Sequence, residues 1–120
     1  MLKIAPPVVK TFDGVFILEL GKDYSHLHEN LLEHLAILPH LADSAEPAQV
    51  VLDMHNVNTI GSAFLGQLIS VTKRLSARNG SFAIVSASSF CKTAINGAGL
   101  DSMLPTYESM QAAVHDMSSK

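Results

Sequence analysis

Six histidines, one cysteine, an aspartate near the end of an apolar run and a serine opening a helical stripe are the side chains here with chemistry to offer. A metal site is the first chemistry to weigh. His26 and His28 stand two apart, so on a helix they would point roughly 160° from each other and could not share an ion. His34, His40, His55 and His115 show neither the four-residue spacing nor the cysteine neighbours that zinc sites use. They read as exposed or locally bonded imidazoles, and no metal or other cofactor is expected. Cys91 falls in the first turn of a predicted helix, where a thiolate is favoured. No His, Asn or Asp partner can be assigned to it, and a lone cysteine in an aliphatic chain is ordinarily packing.

Asp53 lies near the carboxyl end of a predicted central strand, the place of the acceptor aspartate in a phospho-receiver domain. That chemistry needs an acidic pair after the first strand and a lysine after the last. Leu20-Gly21 and Met103-Leu104 supply neither, so the Mg²⁺ site cannot be built. No Gly-x-x-x-x-Gly-Lys-Ser/Thr segment is present to cradle a phosphate. Ser62 has two readings. Its hydroxyl could cap the following helix, worth about 1 kcal/mol. Alternatively a kinase modifies it, adding about −1.5 to −2 charge at the positive end of the helix dipole. A partner complementary to the bare hydroxyl would then meet uncompensated charge and be released.

The elements that must hold these residues follow from pattern. Residues 50–54, Val-Val-Leu-Asp-Met, read as a strand covered on both faces. His55-Asn56-Val57-Asn58-Thr59 is a polar loop pinned by Val57. From Leu65, the residues Leu68, Ile69, Thr72 and Leu75 recur at helical spacing as the inward stripe. Upstream, Pro6-Pro7 favours an extended entry to a short edge strand at Val8-Val9-Lys10. Asp13-Gly14 is a hairpin turn into the strand 15–20. Asp23 or Ser25 would cap a helix of roughly a dozen residues carrying Leu27, Leu31, Leu35 and Leu38, ended by Pro39. Residues 40–48 read as a surface loop. Asn79 or Gly80 suits a left-handed cap, and 81–85 is another strand. Ser88 or Ser89 caps a helix that stops at Gly97 and Gly99. Leu100 to Pro105 holds at most a short strand, and Met110, Ala113, Val114 and Met117 mark a last amphipathic helix. The sum is α/β: one domain over residues 1–120, with a mixed sheet of roughly four to five strands and about four helices.

Composition narrows the function classes. With 48% hydrophobic and 16% charged residues, the chain reads as a compact soluble globule, not a disordered segment. Eight basic against eleven acidic residues, with no basic run, argue against nucleic acid. A single cysteine excludes an internal disulfide and fits a reducing compartment. The first seven residues lack the apolar segment of a signal peptide, and no apolar stretch approaches a membrane span, so a cytoplasmic location is expected.

The arrangement resembles the STAS domain of bacterial anti-sigma-factor antagonists, from Val8 to about Met117. The opening hairpin carries the resemblance, with the strand 50–54 and Gly80 before a strand at 82–85. So does Ala98-Gly99-Leu100-Asp101 with Leu104 and Tyr107. The family's loop Ile-Asp-Ser-Ser-Gly-Leu-Gly reads here Ile60-Gly61-Ser62-Ala63-Phe64-Leu65-Gly66. Its first serine, phosphorylated by a partner kinase that is also the anti-sigma factor, corresponds to Ser62. The resemblance implies a regulatory binding module rather than an enzyme. Its partner would be an anti-sigma factor or switch kinase, bound through Asn56, Asn58, Thr59, Gly61, Ser62, Ala63 and Phe64. Asp23 and Tyr24 would lie near the same edge by family analogy. Phosphorylation of Ser62, or of Thr59, would switch binding off. Two departures favour another reading: Gly61 replaces the aspartate that presents the serine, and Phe64 replaces a glycine. They fit a non-phosphorylated scaffold subunit, similar to STAS partners of lipid-transport ATPases or of sensory assemblies. Phe64 would be an apolar docking anchor or pack beside Leu68; if exposed, it would favour homo-oligomers.

Overall fold

A computed structural model describes residues 6–27, 35–100 and 103–118. The chain opens with β1 (Val8–Phe12) and β2 (Val15–Glu19), paired antiparallel from Val8 opposite Glu19 to Phe12 opposite Val15. Asp13 and Gly14 between them both take positive φ, 51° and 78°, as a tight hairpin turn demands. The later strands β4 (Gln49–Asp53), β6 (Ser81–Val85) and β7 (Thr106–Tyr107) are parallel, and the sheet order is β1-β2-β4-β6-β7. The label β3 belongs to His26–Leu27 and β5 to Thr59–Ile60. These pair with each other, in a separate two-stranded ladder.

Helices α1 (Ile37–Ser44), α2 (Ser62–Ala77) and α3 (Ser89–Gly97) bury side chains in the cluster with Leu18, Val50, Leu52, Phe82 and Ile84. On the opposite sheet face, α4 (Met110–Ser118) sets Ala113, Val114 and Met117 against Val15, Ile17, Val51, Ala83 and Val85. Alternate residues of β4 therefore serve opposite layers, which is why its middle residues Val50, Val51 and Leu52 are all apolar. The α/β class, the mixed sheet and, among the described residues, four α-helices are as the sequence implies.

Four local expectations need correction. Pro39 does not end a helix: it is the third residue of α1, which runs on to Ser44, so 40–44 is not loop. The first N–H groups of a helix have no intrahelical acceptor, so proline is tolerated there. The helix expected from Leu27 onward falls largely on 28–34, outside the described residues. Leu27 itself ends β3, while Asp23 lies in a single 3₁₀ turn, Lys22–Tyr24. The α2 stripe is Phe64, Leu68, Val71, Thr72 and Leu75, with Leu65 and Ile69 half-buried on its flank. Finally, the strand expected before Pro105 lies after it, at Thr106–Tyr107.

The end of α2 obeys the signal read from sequence. Asn79 has φ 57°, and Asn79 N–H and Gly80 N–H bond the carbonyls of Ser76 and Leu75, closing α2. Gly80 is required for a second reason, since a Cβ there would sit 2.1 Å from the carbonyl oxygen of Ala48.

Candidate functional site

The site is the loop that leaves the carboxyl end of β4 and enters α2. Asp53 turns the chain out: its Oδ1 accepts the His55 backbone N–H at 3.1 Å and lies 3.0 Å from His55 Nδ1. That carboxylate is 8% exposed and spent on the loop. Among the described residues, no cluster of His, Cys, Asp and Glu could hold a metal ion. Val57 is buried and its N–H bonds the Met54 carbonyl, so the loop folds back on the strand end. Asn56 Nδ2 donates to the Leu20 carbonyl at 3.0 Å, tying the loop to the end of β2. The Asn58 and Thr59 N–H groups both reach the Ser25 carbonyl, at 2.6 and 3.1 Å. Across the β3–β5 ladder, His26 Nδ1 and Thr59 Oγ1 are 2.7 Å apart. From the third side, Ser88 Oγ donates to the Asn58 carbonyl at 3.0 Å. Three neighbours thus fix the pose of one short loop.

Ser62 is not the cap. Gly61, extended at φ −96° and ψ 171°, takes the capping position with no side chain to offer, and Ser62 is the first helical residue. Its side chain is exposed, and its hydroxyl bonds nothing among the described residues. The first-turn N–H groups of α2 therefore receive no side-chain acceptor, and no acidic residue lies in that turn. From Asp53 to Lys73 the sequence carries no Asp, Glu, Lys or Arg between those two residues. Ala63 and Gly66 are exposed beside Ser62, and nothing lies within 4 Å of a Cβ placed on Gly66. The exposed residues 62, 63 and 66 are small and carry no charge.

Two expected contact residues are not on that surface. Phe64 is fully buried in the core cluster that also holds Leu20, Val57, Ile60 and Leu68, because the first turn of α2 directs residue 64 inward and leaves 62 and 63 outside. Its ring offers a partner nothing, and the association argument built on it falls. Tyr24 is also buried in this cluster; burial, then the charge of Asp23, push its phenol up. Asp23 is exposed on the adjoining 3₁₀ turn, Asn58 is exposed, and Asn56 and Gly61 are half-buried. Thr59 is half-buried with its hydroxyl against His26.

The sequence profile of the STAS domain matches residues 6–113, nearly the whole chain. The chain belongs to the STAS domain family. A STAS-domain anti-sigma-factor antagonist from Planctomyces limnophilus superposes with a TM-score of 0.87 at 24% identity, over 94% of this chain and 98% of its own. An anti-sigma factor antagonist from Mycobacterium paratuberculosis gives 0.78 at 22%, over 96% and 98%. The Bacillus cell fate determinant SpoIIAA, in its phosphorylated form, gives 0.67 at 12%, over 92% and 97%. At these identities the superpositions establish the fold. Comparison with curated proteins returns no significant match.

Within this STAS domain, Ser25, His26 and Ser88 hold the loop, yet sequence reading missed that role. No local pattern shows it, because each bond spans about thirty residues or more. Cys91 is packing: it is buried, its thiol is pushed up by that burial against the pull of the Ser88 hydrogen bonds, and Sγ lies 3.8 Å from the Asn58 carbonyl. Among the described residues no helix is long and apolar enough to cross a membrane.

Proposed function

We propose that this STAS domain is a regulatory protein-binding module that docks an anti-sigma factor or serine-kinase-like switch protein on the Ser62 rim. Phosphorylation of Ser62 controls the docking. The observation that carries the reading is the state of the Ser62 hydroxyl: exposed, unbonded among the described residues, and at the open N-terminus of a 16-residue helix. A phosphate there finds N–H donors that no side chain occupies, so the folded domain accommodates it. The same phosphate adds about two negative charges to a segment that has none of its own and that the exposed Asp23 already borders, and a partner face fitted to the bare hydroxyl is repelled. Thr59 is the poorer acceptor, since its hydroxyl already faces His26 on a paired strand. Asp23, Asn56, Asn58, Gly61 and Ala63 border the same edge and complete the docking surface. The setting is the cytoplasm, where such kinases and sigma factors work, and no catalysis by the domain itself is invoked.

The test is intact-mass analysis of the chain purified from its own host, with and without phosphatase. The expected result is a species heavier by one phosphate, mapped to Ser62 and absent from Ser62→Ala. An unmodified mass in every growth state, together with a stable co-purifying protein, would replace the switch by the scaffold reading. Gly61 in the presenting position favours that second reading.

A further inference from the structure

We propose that Asn96–Gly97, at the end of α3, is a site of spontaneous deamidation in the folded protein, while the chain's other Asn-Gly pair, Asn79–Gly80, is protected. An asparagine followed by glycine can close on its own main chain, because no Cβ at the next residue hinders the approach. The backbone nitrogen of Gly97 attacks Asn96 Cγ and a C–N bond forms. The side-chain amide leaves as ammonia, taking the Gly97 amide proton with it. Water then opens the succinimide at one carbonyl or the other, giving aspartate or isoaspartate. Both routes replace a neutral amide by a carboxylate.

Exposure does not separate the two pairs, since Asn79 and Asn96 are both exposed. They differ in how firmly the attacking nitrogen is held. The Gly80 N–H bonds the Leu75 carbonyl at 2.7 Å, and its turn is tied on both sides to another part of the fold. Arg78 reaches the Ala42 and Ala45 carbonyls at 3.1 and 2.7 Å, and the Ser81 N–H bonds the Ala48 carbonyl at 2.9 Å. Swinging the Asn79 peptide into an attacking geometry therefore undoes bonds to the segment 42–48. At the end of α3 the bonds are local: Ala98 N–H reaches the Ala94 carbonyl and Gly99 N–H the Asn96 carbonyl, at 3.1 and 3.0 Å. Residues 96–99 are all exposed, and among the described residues nothing lies within 4 Å of a Cβ placed on Gly97 or Gly99. A helix end held this way opens at little cost, whereas a turn tied to the core opens only with much of the fold. The product has a structural consequence. Its carboxylate sits at the negative end of the α3 dipole. Isoaspartate also runs the main chain through the side-chain carbon, which displaces the carbonyl that accepts Gly99 N–H.

The experiment incubates the purified full-length chain in warm, mildly alkaline buffer, with a parallel sample unfolded in urea. Peptide mapping that separates asparagine, aspartate and isoaspartate follows positions 79 and 96. In the folded chain position 96 is expected to convert about tenfold faster than position 79 or more, and in urea the two should convert at similar rates. Equal rates in the folded chain, or a faster position 79, would overturn the inference. So would an unmodified Asn96 in the folded chain over a time in which urea converts both. Gly97→Ala should slow position 96 alone; an unchanged rate would overturn attack by the Gly97 nitrogen.

Discussion

Truncating Phe64 to alanine removes a fully buried ring from the cluster that joins α2 to Leu20, Tyr24, Val57 and Ile60. The loss has two parts, the transfer free energy of the ring and the cavity left behind, together about 3–5 kcal/mol for a buried phenylalanine. A domain of this kind holds roughly 5–15 kcal/mol in all, so the variant keeps little margin. At this chain length each kcal/mol moves the melting temperature by roughly 3–6 °C, and the expected fall is about 10–30 °C. Urea titration checks it independently: the midpoint should drop with the slope unchanged, since the folded surface is the same. Phe64→Leu keeps much of the volume and should cost clearly less. A Phe64→Ala protein that melts within about 2 °C of the wild type would refute the reasoning, because only a surface ring can be removed at so small a cost.

Two further outcomes follow from the geometry. Gly80→Ala should lower the unfolding free energy by about 2–3 kcal/mol, read as a lower urea midpoint at unchanged slope, since its Cβ would overlap the Ala48 carbonyl oxygen that Ser81 N–H bonds at 2.9 Å. A change under about 0.5 kcal/mol would show that the 48–49 segment yields freely. Tyr107 donates to the Asp116 carboxylate, and that bond, then burial and the Asp116 charge, push its phenol up to about 12. A folded value above the unfolded one of about 10 means that the native state holds the proton more tightly. The stabilisation is complete below about pH 10 and lost as pH rises toward 12. Tyr24 is also raised, so the test is the difference: the tyrosinate absorbance lost in Tyr107→Phe should belong to a phenol titrating near 12, and a difference titrating near 10 would contradict the bond.

What sequence made legible was local chemistry. Asp13-Gly14, Asn79-Gly80 and the cap Ser88 each mark a backbone angle or a hydrogen bond a few residues away, and each stands where its signal places it. What it hid depended on distant partners. The two-residue strands at 26–27 and 59–60 have no pattern of their own and exist only through each other. Pro39 was misread because proline ends a helix and also opens one, and only the start of α1 at Ile37 decides between them. The α2 stripe is ambiguous for a similar reason. Leu65 and Ile69 are as apolar as Phe64 and Val71, so periodicity alone cannot centre the face, and the sheet chooses.

That one-residue rotation of α2 changes the weight of both departures from the family's serine loop. With Phe64 turned inward, the bulky residue is a core residue and no longer speaks for a scaffold interface. Of those two, Gly61 is the one left at the surface, beside the exposed Ala63 that stands in place of the family's second serine, and its effect has two sides. An aspartate at a helix cap presents the neighbouring serine, but its carboxylate also accepts the first-turn N–H groups and places negative charge beside them. Glycine gives up that presentation while leaving the same donors open to an incoming phosphate. On the proposed reading, the substitution slows the approach of the kinase while favouring the modified state once it forms. A switch of that kind is thrown rarely and reset slowly. Gly61→Asp would shift it the other way, toward faster modification of Ser62 and a phosphoserine less well held by the helix.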